Sequence, residues 1–221
     1  MSKSWVVIPL YNEGQVIADV VTHVKSVFPH VVCVDDGSSD NSAVMARSAG
    51  AVVVQHPINL GQGAALQTGF DFALTDPAMT DVVTFDADGQ HSLEDAQGMV
   101  KLLRSQKLDV VIGSRFLDSR TQLSPMKRAV LKVAALYTRF STGMSLTDAH
   151  NGLRVINRKT LQRFRLTQNR MAHASEIVDI FSELKVTWAE YPTHIVYSAY
   201  SKAKGQSLLN SVNILVEILF K

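Results

Sequence analysis

Cysteine is almost absent: Cys33 is the single one in 221 residues. One thiol excludes an intramolecular disulfide framework. Its place in the apolar run "VVCVDD" predicts a buried free thiol and fits a reducing compartment. Long hydrophobic runs are missing as well. No stretch of about 18 apolar residues is present, so no complete transmembrane helix is expected. The start, "MSKSWVVIPLYNE", lacks an extended apolar segment before its first turn signal, so no signal peptide is expected. There is no internal repeat and no low-complexity tract. What is there is ordinary folding material. The chain is 46% hydrophobic and 19% charged, which excludes a disordered chain. Its length suits one domain with a sizeable core, or a core with a short appendage.

Acidic residues are scarce in one region. Residues 1–114 hold 6 Lys/Arg and 13 Asp/Glu, whereas residues 115–170 hold 12 and 2. The net charge of the whole chain is only +2. The asymmetry suggests two jobs: an acidic half able to hold a metal, and a basic middle able to meet phosphate or an anionic membrane surface.

Val- and Ile-rich runs alternate with helical stretches in the first half. Strands are expected at 5–10, 31–34, 51–55, 81–87 and 109–114. Helices are expected from Glu13 to Val27, Asn41 to Ala49, Gln62 to Leu74 and Leu93 to Ser105. Strands buried on both faces and separated by helices predict an α/β fold, with a mostly parallel central sheet and helices on both faces. Ligands bind such sheets at the carboxyl ends of the strands. Further along, a basic helix is expected from Pro125 to Thr142 and another over 173–184. Strands are expected at 152–158, 186–192 and 194–198. The tail, 207–221, reads as an apolar helix.

The fourth strand ends in "VVTFDADGQH". Residues two apart on an extended strand share a side, so Asp86 and Asp88 are expected to converge at its lip. Two carboxylates that close are unfavourable alone and favourable around a divalent cation. Hard oxygen ligands suit Mg²⁺ or Mn²⁺, with Gln90 as a third ligand or water-holding group. The plain alternative is a turn with helix-capping aspartates before "SLED". Other strand ends add to the picture. Pro9, Tyr11 and Glu13 in "PLYNE" can shape a nucleoside slot. Asp36 in "DDGSSDNS" can accept hydrogen bonds from a base or ribose. Gly61-x-Gly63 lacks the third small residue of a dinucleotide fingerprint, since Leu66 stands there, and it follows the third strand. It is read as a close-packed loop at a helix start.

Taken in order, "VVIPLYNE", "VVCVDDGSSDNS", "NLGQGAALQTGF", "VVTFDADGQH" and "VVIGSRF" resemble the family 2 glycosyltransferases of GT-A fold. The resemblance is strongest to the branch of dolichyl-phosphate mannose synthase and bacterial polyprenyl-phosphate glycosyltransferases. It implies a GT-A three-layer sandwich and an inverting, metal-dependent hexosyltransferase. That enzyme would move sugar from a UDP- or GDP-linked donor to a polyprenyl phosphate or lipid-linked saccharide. By the same resemblance, Asp86, Asp88 and Gln90 hold Mg²⁺ or Mn²⁺. Pro9, Tyr11, Asn12, Glu13, Asp36, Gln62, Ala87 and Lys202 meet the nucleotide-sugar. Arg115, Arg128 and Arg154 meet the acceptor phosphate, arginine forks suiting phosphate oxygens. Asp148 orients an arginine or acts as a base, and Glu176 sits near a family carboxylate position. His91 and His150 are expected to be neutral hydrogen-bonding residues.

The sequence departs from the branch pattern at Gln62, Leu153 and Lys202, where lysine, an aromatic residue and arginine are usual. The expected organisation is a catalytic domain over 1–205, with a nucleotide-sugar and metal half (1–114) and an acceptor half (115–205). An apolar helix at 206–221 would contact a membrane surface or a second subunit. Expected partners are the donor, the lipid-linked acceptor and the cytoplasmic face of a membrane, and not nucleic acid. Two other readings stay open: a catalytically silent nucleotide-binding scaffold, and a nucleotidyltransferase.

Overall fold

The computed structural model describes residues 3–118, 125–170 and 172–195. The elements in chain order are β1 (Ser4–Leu10), α1 (Ile17–Lys25), β2 (His30–Asp35), α2 (Ser42–Ser48), β3 (Val52–Gln55), α3 (Gln62–Leu74), β4 (Asp81–Thr84), α4 (Leu93–Ser105), β5 (Val110–Ser114), α5 (Pro125–Thr142), β6 (Arg154–Asn157), α6 (Arg158–Leu161), α7 (His173–Glu183) and β7 (Trp188–Pro192). The seven strands form one sheet in the order β3-β2-β1-β4-β6-β5-β7. All neighbours run parallel except β6, which is antiparallel to both β4 and β5.

The layering follows from two-residue periodicity. Val6, Ile8 and Leu10 of β1 enter a core with α1 and α4, while Trp5 and Val7 enter a second core with α3 and α7. Each central strand is therefore apolar on both faces, as a sheet covered on both sides requires. Cys33 is fully buried in the first core and unpaired. Burial, with the Asp35 charge beside it, pushes the thiol up to about 12, which makes it chemically inert.

Some boundaries differ from the sequence expectation. Helix α1 begins at Ile17 because residues 13–16 form a turn closed on the Glu13 carbonyl. Strand β4 ends at Thr84, with Phe85 N donating to Val7 O just beyond it. Asp86 and Asp88 thus lie in the turn after the strand, and the strand's alternation does not bring them together. The expected strand at 194–198 is described only at its start, where Ile195 bridges His91. Lys202, the 197–207 segment and the 206–221 helix lie outside the described residues. Among the described residues no helix is long and apolar enough to cross a membrane.

Candidate active site

The carboxyl ends of β1, β2 and β4 open into a cavity of about 890 Å³. From the strand ends come Pro9, Tyr11, Glu13 and Asp36, with Gln62 from the first turn of α3. Asp86, Ala87 and Asp88 from the turn after β4 also line it, as do Arg154, Arg170 and His173. A smaller cavity of about 120 Å³ adjoins it, lined by Gln90, His91, Arg115 and Asn151. Asp86, Asp88, His150 and Gly152 line both. The carboxylate pair is a partition between two spaces.

Neither aspartate ties off the next helix. Ser92 does that, its hydroxyl accepting from Asp95 N. His91 Nε2 pairs with Asp86 Oδ2 at 2.9 Å. Both oxygens of Asp88 accept from Gln90, from its backbone N at 3.0 Å and its side-chain Nε2 at 2.6 Å. Gln90 therefore fixes Asp88 directly, and it faces the smaller cavity. Gly152 makes room for Asp86: a Cβ there would stand 2.6 Å from Asp86 Oδ2. Burial raises the Asp86 carboxyl, but His91, Arg154 and His173 outweigh it and hold it below the usual range. Asp88 is pushed up to about 6, by burial first and by the Asp86 charge second. Two close carboxylates with hard oxygens and mutual repulsion fit a divalent cation. Among the described residues no group of three or more His, Cys, Asp or Glu forms a self-contained metal site. Oxygens of a ligand would have to complete the coordination.

Asp36 is buried at the cavity edge. Its oxygens accept from Leu60 N at 2.9 Å and Gly61 N at 2.7 Å, and His56 Nδ1 lies 2.7 Å away. It thereby shapes the loop leading into α3. Gly61, with φ of +106°, has no space for a side chain, since a Cβ would meet Asn169 O at 2.2 Å. The glycine pair is a packing device, as its spacing suggested.

The basic residues separate. Arg115 lines the smaller cavity. Asp148, fully buried, accepts from the Arg115 backbone N at 3.1 Å and from the Arg115 Nε and Nη2 at 2.6 Å each. Burial raises the Asp148 carboxyl, but the Arg115 charge and bonds outweigh it and keep it ionised. Arg154 lines the larger cavity instead. It is 3% exposed, its Nε has no protein partner among the described residues, and burial lowers its pKa to about 10. An unsatisfied buried cation beside a cavity is an anion-binding arrangement. His150, lowered to about 4 by burial and by Arg154, is neutral.

Three expected residues are placed elsewhere. Arg128 is exposed on α5, its guanidinium 5.9 Å from the centre of the Phe116 ring, and lines neither cavity. The Glu176 carboxylate accepts from Thr167 N at 2.9 Å and Gln168 N at 2.8 Å, which anchors a loop. Asn12 bridges loops, accepting from Ser39 N and donating its own N–H to Ser38 Oγ. Sequence reading missed Arg170, His173 and the His56 brace. Arg170 and His173 stand near no strand end in sequence, whereas His56 directly follows β3 and meets Asp36 because β3 pairs with β2.

Comparison with known proteins supplies names for this arrangement. The profile of Glycosyl transferase family 2 matches residues 5–165. The chain is 27% identical to UDP-N-acetylglucosamine--dolichyl-phosphate N-acetylglucosaminyltransferase of Methanococcus voltae, covering 97% of this chain and 94% of that one. It is 31% identical to polyprenol monophosphomannose synthase of Mycolicibacterium smegmatis, over 75% of this chain and 65% of that one. Among solved structures, glucosyl-3-phosphoglycerate synthase of Mycobacterium tuberculosis superposes with a TM-score of 0.71 at 18% identity. The match covers 99% of this chain and 79% of that one. That crystal holds Mn²⁺, uridine-diphosphate-glucose and phosphoglyceric acid. The fold is the GT-A fold of these enzymes.

Proposed function

The chain belongs to glycosyl transferase family 2, and on that premise we propose that it moves a sugar from a UDP- or GDP-linked donor to a polyprenyl phosphate, with inversion. One observation carries the reading. The Asp86–Asp88 pair divides a donor-sized cavity from a smaller one in which Asp148 holds Arg115. Donor and acceptor would meet across that partition.

In this reading the nucleoside lies between Pro9, Tyr11 and the Asp36 loop. The diphosphate lies toward Asp86, Asp88 and the unpaired Nε of Arg154. Asp86 and Asp88 are the residues to hold Mg²⁺ or Mn²⁺, which when bound neutralises charge on a departing diphosphate. Arg154, buried and cationic, favours the same negative charge where water is excluded. Arg115, held by Asp148, orients the acceptor phosphate. A phosphate oxygen attacks the anomeric carbon from the face opposite the diphosphate. The C–O bond to the diphosphate breaks, and its electron pair leaves with that group. A phosphate acceptor is already ionised at neutral pH and needs no general base. That agrees with Asp148, whose carboxylate is spent on Arg115.

The test is transfer from a panel of UDP- and GDP-sugars to a short polyprenyl phosphate, with Mn²⁺ or with chelator. Metal-dependent formation of a glycosyl-phosphate lipid from one donor is the expected result. Transfer to none of the donors, or equal transfer with chelator present, contradicts the proposal. The two-part organisation, 1–114 for donor and 115–205 for acceptor, is part of this proposal, as is a place on the cytoplasmic face of a membrane.

A further inference from the structure

His173 opens α7 and lines the larger cavity, and the reaction above gives it no task. Its ring is held from two sides. Nδ1 lies 2.7 Å from Arg170 O, the carbonyl that also accepts its backbone N at 3.1 Å. Its Cβ packs on Gly63, where a side chain on the glycine would stand 2.8 Å away. A carbonyl oxygen only accepts, so Nδ1 carries a proton. Burial, with the Arg154 charge, outweighs that bond and the Asp86 and Glu176 charges, and holds the pKa below the usual histidine value. The ring is therefore neutral at pH 7, and Nε2 keeps a bare lone pair. No described residue meets Nε2. It is not sealed in protein either, and the opening of this 4% exposed residue is the cavity.

A lone pair fixed in this way selects its ligand. It repels phosphate oxygens, which here only accept, and takes an O–H or N–H. The charges acting on the ring include Arg154 and Asp86, the groups assigned above to the diphosphate. A nucleotide-sugar offers O–H groups on both sides of its diphosphate. The ribose goes with the nucleoside toward Pro9, Tyr11 and the Asp36 loop, which leaves the hydroxyls of the sugar.

We infer that His173 is a specificity-determining residue whose Nε2 accepts a hydrogen bond from one hydroxyl of the sugar to be transferred. The donor class it selects is a sugar with that hydroxyl free, against deoxy or O-substituted counterparts. A site built to bond a hydroxyl discriminates against the analogue that lacks it. The inference deepens the proposed sugar transfer and rests on that reading for its purpose. Its test reads binding.

Calorimetric titration of the full chain with Mn²⁺ would use UDP-glucose, UDP-N-acetylglucosamine and GDP-mannose, with UDP and GDP as references. His173→Phe keeps a flat ring and removes the acceptor. His173→Gln returns an acceptor oxygen near the place of Nε2. The sugar nucleotide that binds wild type best is expected to bind His173→Phe roughly threefold to tenfold more weakly. UDP and GDP should bind both alike, and His173→Gln should fall between. Among deoxyfluoro analogues of that donor, one should lose as much on wild type and nothing further on His173→Phe. Imidazole ¹⁵N spectra of the free chain, in which the signal missing from either variant marks His173, should show Nδ1 protonated and Nε2 bare. Unchanged affinity of His173→Phe for all three sugar nucleotides overturns the inference. So does an equal loss for sugar nucleotide and bare nucleotide, because Nε2 then meets the ribose or a metal-bound water. A neutral ring protonated on Nε2 also overturns it. Sugar-dependent binding lost in His173→Phe, by a chain that transfers sugar to no polyprenyl phosphate, counts against the proposed reaction alone.

Discussion

Asp148 holds Arg115 through three hydrogen bonds, from the backbone N and from two nitrogens of the guanidinium. The carboxylate is wholly buried and the arginine nearly so. This pair fixes one fork at the mouth of the smaller cavity. In the proposed reaction Asp148 positions Arg115 and takes no part in proton transfer.

Asp148→Asn is expected to destabilise the fold by about 3–5 kcal/mol, because it leaves a buried cation without its counter-charge. Arg115→Lys keeps the charge and loses the fork. It should raise the KM for acceptor while leaving donor affinity unchanged. Calorimetric titration of donor beside acceptor kinetics checks both. A fall in donor affinity equal to the acceptor effect would contradict the division of the two cavities.

Asp88 gives a pH signature. Its folded value, about 6, lies above the ordinary carboxylate value of 3.8. The folded state therefore binds this proton more tightly than the unfolded state. Without metal, stability should fall as pH rises from about 4 through 6 and then level off, by at most about 3 kcal/mol. Asp88→Asn should be the more stable protein above pH 6 and equal to wild type near pH 3 without metal. Denaturant unfolding across that range checks the sign. A wild type that gains stability through the same range from this residue contradicts it.

Glu176→Gln keeps an acceptor oxygen but weakens the bonds from Thr167 and Gln168. The expected cost is about 1–2 kcal/mol of stability, with turnover within a few-fold of wild type. Loss of turnover at unchanged stability would return Glu176 to the reaction.

Gly61→Ala adds a Cβ that would stand 2.2 Å from Asn169 O, at a φ of +106°. Strain of this kind costs on the order of 1–3 kcal/mol, and the loop braced by Asp36 should move. The expected outcome is a lower melting temperature together with weaker nucleotide binding. Weakening of neither contradicts the placement of this loop.

Much of this fold was legible because its strands are short Val-rich runs between helices, a pattern with one common solution. The helices at 62–74, 93–105 and 125–142 stand at the residues their periodicity predicted. The motif order placed Pro9, Tyr11, Glu13, Asp36, Asp86 and Asp88 around one cavity. What was not legible depends on long-range pairing. The antiparallel insertion of β6 between β4 and β5 carries Arg154 to the larger cavity, and no local pattern encodes that. His56 reaches Asp36 only because β3 pairs with β2. The expectation that Asp86 and Asp88 share a strand face rested on a strand three residues too long. Their convergence comes from the turn that follows.

The central claim is that Asp86 and Asp88 hold the cation through which this fold grips a nucleotide diphosphate. The most direct measurement is calorimetric titration of UDP and GDP into wild type and Asp88→Ala, with Mn²⁺ and with chelator. The account predicts that one nucleotide binds wild type with Mn²⁺, and that chelator or Asp88→Ala weakens it on the order of a hundredfold. Equal affinity in chelator, or undiminished Mn²⁺-dependent binding by Asp88→Ala, would contradict it.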